Sequence, residues 1–279
     1  MGNGHFESID LSFYPSPFGT APVAVIDLSG GSHRGSGTPL TQNRLDEIQR
    51  ALQEIDGSAA LVLTGTGGSF SVGADLDRLS SGPGTEIQLT LRSGHKAFSA
   101  VRSMRIPTFA FLNGIALGGG LELALHCRYR VVADNVRALG FPEFSRGLLA
   151  AWGGTYLLPQ LVGVQNAFHL LVERSAIPLE PEEALAFGIV DRLLPTPFFR
   201  GRAMEWAFAI LQGEETVDRT AGTSCVHTLI AEEGDPLILT TIRLINDVVS
   251  YGYDEAIERA GAALQSLIAE TRKTARAML

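Results

Sequence analysis

The chain has 279 residues, 45% of them apolar, enough for one large domain or a domain with a small helical appendage. A formal net charge of -8 argues against nucleic acid as the main partner, because a phosphate-binding face is usually basic. The two cysteines, Cys127 and Cys225, give no disulfide framework and argue against a thiolate metal site. The opening MGNGHFESIDLSFY lacks a basic stretch followed by an apolar core, so no signal peptide is expected. Phe6 breaks the myristoylation pattern that Met1-Gly2 begins. No apolar run is long enough to span a bilayer, and the expected location is the cytoplasm.

In chain order, residues 1–29 read as β structure: 6–11 alternate, 23–28 form a short apolar strand, and Pro15, Pro17 and Gly19 mark a turn between them. Residues 30–39 form a glycine and serine loop. Leu45, Ile48, Leu52 and Ile55 recur at helical spacing over 43–55, and ALVLT at 60–64 reads as a strand buried on both faces. This strand, helix, strand order suggests a βαβ crossover. A glycine turn follows at 65–76, ending in acidic and apolar residues that could open a helix, then a flexible break at 80–85 and a helix over 88–104. The apolar run TFAFL at 108–112 ends at Asn113-Gly114 and feeds a second glycine turn, Gly118-Gly119-Gly120, which opens a helix over 119–127. A strand at 129–133 and an extended piece at 138–141 lead into Pro142-Glu143. A third glycine-containing loop spans 147–154. Helices are expected near 155–160 and 163–173, and from Glu180 with Pro181 in its first turn. A short strand is expected at 189–190. From Pro195 onward the pattern is helical, over 197–212, 225–250 and 254–277. The reading divides the chain into a core at 1–195 and a helical region at 196–279.

Two features carry chemistry. Each glycine turn follows a buried strand, and backbone N–H groups in such turns can approach a ligand closely because glycine has no Cβ. The first N–H groups of a helix have no intrahelical acceptor and can hold developing negative charge. Two such groups aimed at one point make an oxyanion hole. Glycine turns also simply join strands to helices. The second feature is the pair Glu122 and Glu143, each in apolar surroundings that would raise its pKa toward neutrality and suit proton transfer. From spacing alone Glu122 is equally an anion at a helix start, and Glu143 equally a solvent-exposed side chain. A dinucleotide reading of Gly65-x-Gly67 fails because Phe70 occupies the position that close helix packing needs as Gly or Ala. The histidines show no paired metal spacing, and His126 reads as a core or interface residue.

Four ordered segments resemble the enoyl-CoA hydratase/isomerase (crotonase) family: SFSVGADLDRL at 69–79, IPTFAFLNGIALGGGLELALHC at 106–127, GFPEFSRGLLAAWGGTYLLPQLVG at 140–163 and PLEPEEALAFGIVDRLLP at 178–195. The third also resembles hydratase domains fused to hydroxyacyl-CoA dehydrogenases. The resemblance implies an α/β fold, a spiral of ββα turns followed by a C-terminal helical trimerisation region, and a homotrimer or a dimer of trimers. It implies an acyl-CoA thioester ligand, with CoA as part of the substrate and no separate cofactor or metal. By motif position the thioester oxygen is expected on the backbone N–H groups of Val72 and Gly119, with Ala74, Asp75 and Leu76 near the CoA adenine. Glu122 matches the residue usually assigned to activating water, and Glu143 the one usually assigned to protonating the α-carbon. Paired glutamates favour a hydratase acting on a 2-enoyl-CoA over an isomerase shifting a 3-enoyl double bond, or over a CoA-thioester-binding subunit without catalysis. The sequence departs from the family pattern at Thr38-Pro39-Leu40-Thr41, Arg128, Ala150 and Trp152, the last filling a position usually small.

Overall fold

The computed structural model describes residues 8–17, 19–30, 37–75, 84–219, 228–230 and 233–277. In chain order the strands are β1 (Asp10–Tyr14), β2 (Val23–Asp27), β3 (Ala60–Thr64), β4 (Ser69–Ser71), β5 (Thr108–Leu112), β6 (Ile115–Leu117), β7 (Tyr129–Ala133), β8 (Leu139–Gly140) and β9 (Arg192–Leu194). Six of them form the main sheet in the order β1-β2-β3-β5-β7-β9, and β4, β6 and β8 form a second, smaller sheet. Among the strand pairs of the described residues, only β1–β2 is antiparallel. Every residue of β2, β3 and β5 is buried. That is why VAVID, ALVLT and TFAFL read as continuous apolar runs: a parallel sheet is covered on both faces.

Helix α1 (Gln42–Glu54) lies between β2 and β3 in the chain, with Leu45, Ile48, Ala51 and Leu52 buried and the Thr41 side chain accepting from Arg44 N at its start. Helix α2 (Gly84–Arg102) packs against it, beginning four residues earlier than the expected 88. Helix α3 (Gly119–His126) opens at the triple glycine. After β3, β5 and β7 the chain enters a short strand of the second sheet before continuing. The fold is thus the α/β spiral of ββα turns. Residues 69–71 and 115–117, read from sequence as parts of glycine turns, are strands of that second sheet.

Other expected boundaries shift as well. The first strand is Asp10–Tyr14; of the expected 6–11, residues 6 and 7 lie outside the described residues. The strand expected at 189–190 forms at Arg192–Leu194. Ile189 and Val190 are buried beneath β7, where Ile189 O accepts from the Arg130 guanidinium and Asp191 N donates to Arg130 O, so ladder pairing starts only beyond them. Past β9 the described residues form only helices: α4 (Gly154–Val162), α5 (Val164–Phe168) and α6 (Pro181–Ala186) precede it, while α7 (Phe199–Gln212), α8 (Pro236–Ser250) and α9 (Tyr253–Ala277) follow. Of the helix expected over 225–250, residues 225–227 and 231–232 lie outside the described residues, and the described helix starts at Pro236, where Asp235 caps Leu237 N at 2.7 Å. Helix α9 folds back onto α2 and α4, bringing Tyr253 beneath the end of α3. No helix of the described residues is long and apolar enough to cross a membrane.

Candidate active site

The second sheet brings the two glycine turns into contact. Gly73 has a φ of 77°, and a methyl group added there would stand 2.7 Å from Gly119 N and 2.6 Å from Leu117 O. Only a residue without a Cβ, in that left-handed conformation, lets the backbones approach so closely. Gly118, at φ 51°, is the second such position: a methyl group there would lie 2.5 Å from Glu143 Oε1. The turn after β6 thus touches the turn after β4 on one side and Glu143 on the other.

Glu122 sits in the first turn of α3 and is 2% exposed. Its Oε1 accepts from the backbone N–H groups of Trp152 and Gly154, both at 2.8 Å. Loop 150–154 folds onto the carboxylate because Gly153 takes a φ of 127° and Gly154 leaves room for it. Glu143, 4% exposed, precedes a short 3-10 turn at Phe144–Arg146. Among the described residues no protein donor reaches its Oε2. Beside it lies a cavity of about 10 Å³, walled by Phe141, Leu148, Leu171 and Thr241, with room for about one water.

Both carboxyls are hard to ionise. Burial pushes the Glu143 pKa up to about 7. Glu122 is raised well above the carboxylate range by burial and then by the Glu143 charge, which outweigh the two N–H donors holding it. Two like charges so close and so dry leave at least one proton on the pair near neutral pH. The sequence-predicted members Glu122, Glu143 and Gly119 therefore converge.

Val72 does not join them. Its N–H donates to Thr38 O at 3.0 Å, and neighbouring bonds tie the same turn to residues 38–40: Ser71 Oγ to Thr38 O, and Leu40 N to Gly73 O. With its proton committed, the Val72 amide cannot serve as an oxyanion donor. Two residues later another amide lies beside Gly119. Ala74 N lies 3.5 Å from where a Gly119 methyl would sit, and no acceptor meets it among the described residues. Gly119, the first residue of α3, has no acceptor for its N–H within the helix. Ala74 is buried and Asp75 is exposed, while Leu76 lies outside the described residues.

Sequence reasoning missed the support behind Glu122. His126, one helical turn on, meets Glu122 O through Nδ1 at 2.8 Å and Tyr253 Oη through Nε2 at 2.6 Å. A carbonyl only accepts, so Nδ1 carries the proton, Nε2 accepts from the Tyr253 hydroxyl, and Ser99 Oγ donates in turn to Tyr253 Oη, 3.2 Å away. Burial pulls the His126 pKa down to about 3, which keeps this neutral tautomer in place. The lone signal in the sequence was a histidine four residues after Glu122. Its partner lies 127 residues further on. Among the described residues no cluster of three His, Cys, Asp or Glu side chains is arranged to hold a metal.

A family model described as Enoyl-CoA hydratase/isomerase matches residues 21–239. The fatty acid oxidation complex subunit alpha of Shewanella amazonensis is 37% identical over 169 residues, 58% of this chain and 24% of that protein. The subunit of the same name from Shewanella baltica is 35% identical over 199 residues, 67% of this chain and 28% of that one. The chain thus spans roughly a quarter of the length of these curated relatives. Among solved structures, Pseudomonas aeruginosa DspI is similar at 27% identity with a TM-score of 0.65, over 77% of this chain and 83% of that one. An enoyl-CoA hydratase from Bacillus anthracis shares the fold with a TM-score of 0.63 at 23% identity, over 91% of this chain and 88% of the other.

Proposed function

The chain belongs to the enoyl-CoA hydratase/isomerase family, and from that premise we propose that it is a hydro-lyase adding water across the double bond of a 2-enoyl-CoA to give a 3-hydroxyacyl-CoA. The observation that carries this reading is the buried pair of carboxyls with raised pKa values, set against the junction of two glycine turns. Addition to an α,β-unsaturated thioester passes through an enolate-like state whose charge collects on the thioester oxygen. The N–H groups of Gly119 and Ala74 are the donors in this reading, replacing the expected pair of Gly119 and Val72. One such donor is worth on the order of 3 kcal/mol of barrier.

The step starts from the form of the coupled pair in which the shared proton sits on Glu143 and the Trp152 and Gly154 amides hold Glu122 ionised; Glu122 then takes a proton from the water whose oxygen bonds to C3. Glu143, with its unpartnered Oε2 and a pKa near neutrality, gives its proton to C2. The proton that Glu122 gains passes to Glu143, and the pair returns to its starting state. Because the two titrate together, their macroscopic steps belong to the pair. No metal or redox step enters, and CoA arrives as part of the substrate. The names of the Shewanella relatives support a place in the oxidation of fatty acyl thioesters. The family resemblance supports assembly as a homotrimer or a dimer of trimers, and a cytoplasmic location.

An isomerase needs a carboxylate shuttle but no activated water. A carboxylate pinned by two amides beside a second, unpinned one suits two separate tasks, and that favours hydration. Incubation with a panel of 2-enoyl- and 3-enoyl-CoAs in isotopically heavy water, with products weighed by mass spectrometry, tests the choice. The expected result is gain of one heavy water on 2-enoyl substrates. A double-bond shift without gain of water would point to an isomerase, and binding without turnover to a thioester-binding subunit.

A further inference from the structure

Trp152 does more than lend its amide to Glu122. Its side chain is 3% exposed and lies between two glycines on different helices. A methyl group at Gly119 would stand 2.5 Å from indole Cε3, and one at Gly94 would stand 2.2 Å from Cε2. The six-membered ring therefore rests on the residue whose N–H faces the thioester oxygen, and the opposite edge rests on α2. The indole N–H donates to Leu91 O at 3.2 Å, and Phe98 meets the ring edge-on with centroids 5.3 Å apart. These contacts hold the ring along two opposite edges and at its indole N–H.

Beyond the ring, between α2 and α9, lies an open groove of about 530 Å³ in which Leu91, Ile257 and the small Gly261 lie among the charged side chains Arg92, Lys96 and Glu258. Leu91 borders both the groove and the indole N–H, and His95 Nε2 meets Ala151 O at 3.0 Å, one residue before the tryptophan. The space on the Glu143 side holds only about 10 Å³. An acyl chain with its carbonyl at Gly119 and Ala74, and C2 and C3 between the carboxyls, thus meets the indole where it would otherwise continue into the larger groove.

We propose that Trp152 is a plug separating the reaction centre from the groove between α2 and α9, so that the enzyme selects short-chain 2-enoyl thioesters. This rests on the hydration reading for its substrate class and on the packing of the ring for its direction. Gly94 is part of the same device, since any side chain there would expel the indole.

The test compares 2-butenoyl-CoA with 2-decenoyl-CoA as substrates of the wild-type chain, Trp152→Ala and Trp152→Phe, with calorimetric binding of butanoyl-CoA and decanoyl-CoA in parallel. The wild type is expected to favour the butenoyl thioester in kcat/KM by about 100-fold, the scale of discrimination a packed apolar wall achieves. Trp152→Ala should narrow that ratio by about tenfold or more, with Trp152→Phe between, and decanoyl-CoA should gain affinity in the same order. Phenylalanine keeps most of the ring, so it reports even where alanine impairs folding. A wild type that hydrates both substrates equally, or a folded variant whose chain-length ratio and binding order stay unchanged, would overturn the plug. Failure of every form to hydrate either substrate would instead overturn the hydration reading, and the binding order would still decide the plug.

Discussion

Arg130 and the Glu122–Glu143 pair are equally cut off from water, at 1%, 2% and 4% exposure, yet they are built in opposite ways. Around Arg130 the charge is answered. Its Nε donates to Ile189 O at 2.7 Å and Nη1 to Cys127 O at 2.6 Å, while Nη2 stands 3.7 Å from Asp191 Oδ1. Arg219 adds a second cation on Asp191 at 2.9 Å. This cluster ties β7 to the segment entering β9. Around Glu122 and Glu143 the charge is left unanswered: among the described residues neither forms an ion pair with a lysine or arginine, and the charge that acts on Glu122 is that of Glu143. A buried charge that serves the fold is matched, because an unmatched one costs several kcal/mol. A mismatch retained at the junction of two backbone turns is best explained by chemistry that needs a proton held loosely near neutral pH.

The contrast can be broken from either side. The largest effect expected is on turnover. Glu143→Gln keeps the shape but cannot release a proton, and kcat on a 2-enoyl-CoA should fall by about a thousandfold, the range of a lost general acid, with substrate affinity little changed. Calorimetric titration beside steady-state kinetics separates the two. Next, Asp191→Ala leaves Arg130 buried without its counter-charge and should cost about 3–5 kcal/mol of stability by denaturant unfolding, while the folded fraction retains its kcat. A loss of kcat in that fraction would show that the two clusters are not separate. The smallest effect is Tyr253→Phe. It leaves His126 Nε2 without a donor, and about 1–3 kcal/mol should be lost, with a modest fall in kcat through the less firmly seated Glu122.

What the sequence shows plainly are the features that depend on near neighbours. The apolar runs at 60–64, 108–112 and 129–133 announce buried parallel strands, and the triple glycine before Glu122 announces a helix start without a Cβ to block it. The second sheet is hard to read because its strands have two or three residues each and sit inside glycine-bounded stretches. Val72 and Ala74 flank the same glycine, and no local pattern says which amide is committed. Thr38, thirty-odd residues earlier, decides it by accepting the Val72 proton. The roles of Trp152 and Tyr253 are likewise set by where α2 and α9 pack, and each lies far from its partner in the chain.

The claim that the carboxyl pair serves reaction at the expense of the fold is tested most directly by denaturant unfolding of the wild type and Glu143→Gln at pH 8 and pH 5. The folded-state pKa of Glu143, about 7, lies above its ordinary value. Its contribution to stability is therefore fully present below the ordinary carboxylate range and is lost as pH rises through 7. The account predicts that Glu143→Gln is more stable than the wild type at pH 8, by on the order of 3 kcal/mol, with the difference shrinking toward pH 5. A variant no more stable than the wild type at pH 8 would contradict it.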